Sequence, residues 1–192
     1  MLLVAGIFFA ATTVANEIYM EQVGNDTTVT ITQDGSSNTI GSELSPIYIG
    51  SGSNTVTIEQ VGTSNSLDLT VNGLSTTVTA TATGDNNSQT ITCGSSVSST
   101  CSSSTISSVI VGDSNTTIQS LGTGASHTSS ISITGDSNSV THTSTNTGTT
   151  SASITVVGNT NTIGVTQSGT TAKSVSVSSS GNNNTVSITQ SN

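Results

Sequence analysis

Gly112, Gly135, Gly158 and Gly181 stand 23 residues apart without a slip, and each is followed three positions later by an asparagine: Asn115, Asn138, Asn161 and Asn184. Self-similarity at a fixed period of about 20–50 residues arises from stacked copies of one structural unit, each too small to bury an apolar face alone. A chain with this beat is held to a stack. Its function then has to reside in a repeated surface and two ends rather than in one pocket.

Each unit carries a second rhythm. Positions two, four and six before the glycine are mostly apolar, as in Val29 and Ile31, Val56 and Ile58, Ile131 and Ile133, Ile154 and Val156. Positions five, seven and nine after it repeat the pattern in Leu67, Leu69 and Val71, in Ile163 and Val165, and in Val186 and Ile188. Thr and Ser fill the places between. Alternation rich in β-branched residues is the mark of a strand with one buried face. Between the strands, Gly112-Asp113-Ser114-Asn115 and its copies supply residues that tolerate positive φ and bond their own backbone. Each unit is therefore strand–turn–strand–turn and stacks on its copy at about 4.8 Å. The predicted fold is all-β, a two-sheet β-solenoid of 23-residue repeats with a thin core.

The turn glycines continue toward the N-terminus as Gly24, Gly35, Gly62 and Gly84, with two stretched intervals. The interval from Gly35 to Gly62 holds the sole proline, Pro46, and that from Gly84 to Gly112 holds Cys93 and Cys101. Counted this way, about fifteen strands run from Glu17 to Gln190, roughly seven rungs and about 34 Å of axis. With 30% apolar and 6% charged residues, the chain would otherwise read as a low-complexity linker; the aligned apolar triplets argue against that.

Residues 1–15, an apolar run ending in small residues, read as a signal peptide without the usual positive start, and 16–192 as one domain. The other reading of that run is an apolar tail packed on the first rung. Export would place the protein outside the cell, on or near its surface, with no membrane span in the mature chain. In that compartment Cys93 and Cys101 are expected to form a local disulfide; two unpaired thiols are the alternative. A net charge of −9 with Lys173 as the single basic residue argues against nucleic acid and anionic membranes as partners.

Two segments, Gln33-Asp34-Gly35-Ser36-Ser37-Asn38 and Gln60-Val61-Gly62-Thr63-Ser64-Asn65, fit the pattern Q-x-G-x-x-N, with partial matches at Gln22-Val23-Gly24 and Gln167-Ser168-Gly169 and a close on Gln190. In these motifs and in its period the chain resembles the curlin repeat, the unit of the curli subunits that form the functional amyloid of bacterial biofilms. The resemblance implies inward hydrogen-bonded ladders. By it, Gln22, Gln33, Gln60, Gln167 and Gln190, with Asn38, Asn65, Asn87, Asn115, Asn138, Asn161 and Asn184, carry that role. The full motif is confined to the N-terminal third. Ile40 and Leu67 stand where the family usually has alanine, and Val71, Cys93, Leu121 and Ser144 where it has glutamine.

Three functions compete on these residues. A solenoid with open strand edges at both ends polymerises head to tail, as a fibre subunit for adhesion or biofilm, partnered by itself and by a nucleator subunit or secretion pore. The odd strand count complicates such a joint, unless Ile47-Tyr48-Ile49 supplies a sixteenth strand. A phage or cell-surface fibre segment binding glycans would use the same faces. Thr ranks such as Thr28-x-Thr30-x-Thr32, Thr77-x-Thr79-x-Thr81, Thr90-x-Thr92 and Thr141-x-Thr143 suit an ice-binding surface.

An enzyme is not expected. His142 occupies an inward position, His127 lies near a turn, and the repeat sets no carboxylate or nucleophile beside either. Asp85, Asp113 and Asp136 fall in turns, where an Asx-turn role competes with Ca²⁺ binding. No cofactor and no metal is implied.

Overall fold

The computed structural model describes residues 15–22, 26–45, 47–50, 52–71, 74–94, 101–122 and 126–192. The proposed leader up to residue 14, together with Gly24, Pro46 and the side chain of Gln22, lies outside the described residues.

Period-two alternation with Thr, Ser and Val produces strands throughout. In chain order they are β1 (Glu17–Ile18), β2 (Met20–Gln22), β3 (Thr28–Ser36), β4 (Thr39–Ile40), β5 (Ile47–Ile49) and β6 (Thr55–Thr63). Next come β7 (Ser66–Val71), β8 (Thr77–Thr83), β9 (Ser88–Thr92), β10 (Thr105–Val111), β11 (Thr116–Leu121) and β12 (His127–Thr134). The last five are β13 (Ser139–Ser144), β14 (Thr150–Val157), β15 (Thr162–Gln167), β16 (Lys173–Ser180) and β17 (Thr185–Gln190).

They form two parallel sheets, one of ten strands and one of seven. The seven-stranded sheet runs β3-β6-β8-β10-β12-β14-β16, and the other runs β1-β4-β7-β9-β11-β13-β15-β17. Off that path, β2 pairs with β5 and β5 with β7, so β2 and β5 prolong the rows begun by β1 and β4. Ile47–Ile49 therefore adds no sixteenth row. Eight rows face seven, and the chain is a β-solenoid of about seven turns.

Register is fixed across the whole stack. Gly35 pairs with Gly62, Val56 with Val78, Ile131 with Ile154, and Ile163 with Val186. Strand parity decides what is buried: in Thr55-Val56-Thr57-Ile58-Glu59-Gln60 the even positions face in and the odd ones face out. The core between the sheets is apolar at both ends of the stack and interrupted in the middle. One cluster runs from Ile40 to Leu121 in sequence, and a second gathers Ile131, Ile133, Val140, Ile154, Val156, Ile163 and Val165.

Cys93 and Cys101 are disulfide-bonded and lie wholly buried in the first cluster. The bond closes a ring of short separation, eight positions, from inside the stack. Loop-closure entropy alone makes such a ring worth about 2 kcal/mol.

Candidate functional site

The repeated turn is the most regular chemical feature of the molecule. Gly35, Gly62, Gly84, Gly112, Gly135, Gly158 and Gly181 all have positive φ, between +98° and +128°. A Cβ at any of the first six would collide with the carbonyl oxygen of the next glycine in the stack. Conformation and close approach both demand glycine there. Two residues later comes a second left-handed position, filled without glycine by Ser37, Ser64, Asn86, Ser114, Ser137, Thr160 and Asn183.

The asparagine that closes each turn points inward and builds a ladder. Asn138 shows the pattern: its Nδ2 donates to Asn115 Oδ1 at 3.0 Å and to Gly158 O at 2.8 Å. Its Oδ1 accepts the backbone N–H of Asn161 at 2.9 Å and the Nδ2 of Asn161 at 3.0 Å. The bond from backbone N–H to the previous Oδ1 links Asn38, Asn65, Asn87, Asn115, Asn138, Asn161 and Asn184, so every expected asparagine lies in one column.

Asn16 begins that column by accepting Asn38 N–H at 3.0 Å, which the sequence pattern missed because Thr13 stands where its turn glycine would be. A looser column on the opposite turns was also missed. There Asn54 Oδ1 accepts Thr76 N–H, Ser104 Oγ accepts His127 N–H, and Asn146 bonds Thr171 O. Asn54 and Asn146 each lie two residues from a glycine, Gly52 and Gly148, which is the only signal that marks them.

The five glutamines do not form one ladder. Gln33 donates to Gln60 at 2.8 Å in the seven-stranded sheet, and Gln167 donates to Gln190 at 2.8 Å in the other. Gln22 has its backbone in β2, opposite Ile49. Ala82 follows Gln60 in register, and an apolar neighbour has no group to pass the bond on.

The turn aspartates form a third, exposed column. Asp85, Asp113 and Asp136 each accept the backbone N–H of the preceding rung, at Thr63, Asp85 and Asp113, over 2.7 to 2.9 Å. Asn159 and Asn182 continue the same bond. These carboxylates staple rung to rung rather than closing their own turns, a correction to the Asx-turn expectation. Among the described residues no group of three or more His, Cys, Asp or Glu is placed to hold a metal ion.

The break between the two apolar clusters is a buried polar relay. Gln119 Nε2 donates to Ser129 Oγ at 2.8 Å, Ser129 meets His142 Nδ1 at 2.8 Å, and His142 Nε2 meets Gln167 Oε1 at 3.0 Å. Gln167 then donates to Gln190, which donates to Ser174 O at 2.9 Å. These partners assign the proton of His142 to Nε2, with Nδ1 accepting from Ser129, so the neutral ring satisfies both of its neighbours. His127, expected near a turn, is fully buried at the start of β12, with Nδ1 at 2.6 Å from Thr150 Oγ1. Burial holds both imidazoles below their ordinary pKa.

The ends differ from the middle. Among the described residues, β1, β2 and β3 at one end and β16 and β17 at the other each have a strand on one side only. Ile18 and Met20 occupy inward registers, opposite Ile40 and Ile47, yet are 49% and 45% exposed. On the outward faces, Thr28, Thr55, Thr77, Thr105 and Thr128 stack in one column. A cleft of about 290 Å³ lined by Thr92, Ser120, Leu121, Gly122, Ser144, Thr145 and Thr147 carries no titratable side chain. No described helix is long and apolar enough to cross a membrane.

No family model, no curated protein and no solved structure matches this chain.

Proposed function

We propose that this is an exported structural protein that self-assembles into, or decorates, an extracellular amyloid-like fibre serving adhesion or biofilm. The observation that carries the reading is the unbroken parallel register, in which backbone and asparagine columns run the length of the stack and end, among the described residues, at strands paired on one side only. An unpaired parallel edge with inward apolar side chains is a template for another strand. The resemblance to curlin repeats supports the same reading, with a nucleator subunit or a secretion pore as accessory partners.

Negative-stain electron microscopy on residues 16–192, hours after dilution from denaturant and alongside an amyloid-dye trace, tests it. Unbranched fibres are expected; a chain that stays folded and monomeric would overturn the proposal. A second reading, ice binding, draws on the five-threonine outward column. Inhibition of ice recrystallisation by the monomer is its test.

A further inference from the structure

Resting on the fibre reading, we infer that the partner of each end is a second copy of the chain docked in one register, with Thr185–Gln190 stacked on the second copy's Glu17–Gln22. Three independent features converge on that joint.

The first is the match of columns. Glu17 heads a column that runs through Thr39, Ser66, Ser88, Thr116, Ser139 and Thr162 to Thr185. Glu21 heads another, through Tyr48, Thr70, Thr92, Ser120, Thr143 and Thr166 to Thr189. Closing both columns on the next copy sets Val186 and Ile188 against the exposed Ile18 and Met20. The apolar chemistry agrees at both positions.

The second is donor and acceptor polarity. Thr162 and Ser168 donate to the carbonyls of Asn184 and Gln190, and parallel pairing alternates, so Thr185, Ser187 and Thr189 turn their N–H groups to the free edge. Glu17 and Tyr19 donate inward to Asn38 and Ile40, which leaves the carbonyls of Asn16, Ile18 and Met20 facing outward to receive them. The asparagine column follows suit. Each asparagine donates its backbone N–H to the Oδ1 of the rung before, so the second copy's Asn16 would donate to Asn184 Oδ1.

The third is charge. Of ten carboxylates, seven lie at or before Asp68, while beyond Asp136 the sole charged side chain is Lys173. Two N-terminal ends repel each other, and the opposite end is the one without acidic side chains.

The unequal rows decide which sheet carries the joint. Stacking β16 directly on the second copy's β3 would put β17 and that copy's β1 in the same space, because the longer sheet extends one row further. The joint therefore runs through the ten-stranded sheet, and the facing sheet steps by one row.

Paired cysteines test the register. In the T189C/E21C chain the two positions fall on adjacent rows, about 4.8 Å apart at Cα, within the roughly 4.4–6.8 Å that a disulfide spans. Oxidised fibres of this chain are expected to run as a ladder of covalent oligomers on non-reducing gels, as are those of the second in-register pair, T185C/E17C. The T185C/E21C chain, offset by four residues or about 13 Å along the strand, is expected to give monomer, like the wild type. Wild-type fibres whose in-register variants assemble without cross-linking, or a ladder from the offset pair, overturn the register and leave the fibre reading standing. Absence of wild-type fibres overturns the fibre reading and the joint together.

Discussion

Removing one rung of the asparagine ladder should cost far more in the middle of the stack than at its end. Asn138→Ala deletes four hydrogen bonds and orphans two backbone groups, the N–H of Asn161 and the carbonyl of Gly158. The other groups keep a partner: Asn161 Nδ2 still donates to Gly181, and Asn115 Oδ1 still accepts Asn138 N–H. Leaving a buried donor or acceptor unpaired costs about 1–3 kcal/mol, so the pair amounts to about 4 kcal/mol. That is a large share of the roughly 5–15 kcal/mol that holds a domain folded. Asn184→Ala removes only a bond to Ser180 O at an exposed site, worth below about 1 kcal/mol. Urea unfolding of the dilute monomer, followed by far-ultraviolet circular dichroism, reads the contrast. With a slope of about 2 kcal/mol per molar, the midpoint should fall by about 2 M for Asn138→Ala and by under 0.5 M for Asn184→Ala. Equal shifts would refute the ladder as the source of stability and leave the asparagines as turn formers alone.

Acid should loosen the polar middle of the stack. His127 and His142 have folded pKa values below their unfolded ones, so their contribution is fully present above the unfolded value near 6.5 and is lost as pH falls below it toward the folded values. Unfolding midpoints should drop between pH 7 and pH 5, and less so in a His127→Val, His142→Val chain; identical pH profiles would contradict this. Gly112→Ala forces a side chain against the Gly135 carbonyl at φ +127°, whereas Gly164→Ala meets nothing within 4 Å, so the first should abolish soluble folded yield and the second leave thermal stability unchanged or raised. Ser187→Pro removes an edge N–H without touching the bonds between β15 and β17, and should give a folded monomer that neither elongates nor seeds, as scored by dye-binding kinetics.

What was legible in the sequence, and what was not, follows from which interactions repeat. Gly112 and Asn115 betray themselves because each turn imposes the same φ and the same inward bond on every rung. Inward positions such as Val56 and Leu69 follow from strand parity alone. The bonds of Gln89 and Gln119 were not legible because these residues sit singly at apolar parity positions, where no period marks a polar partner. Each donates its Nε2 across the core, to Ser108 and Ser129. Contacts between the two sheets are set by how the sheets face each other, and a repeat within one strand row does not encode that. The same blindness hid the relay through His142. Ile47–Ile49 misled for a different reason: six residues inserted after Ile40 separate two halves of one row, and spacing alone cannot tell a split row from an extra one.

The most direct test of the account is the axial rise per subunit in fibres, from helical reconstruction by cryo-electron microscopy. Eight rows at about 4.8 Å predict a rise near 38 Å, with the ten-stranded sheet continuous through every joint and the facing sheet stepped by one row. A rise near 34 Å, or subunits joined through the seven-stranded sheet, would contradict it.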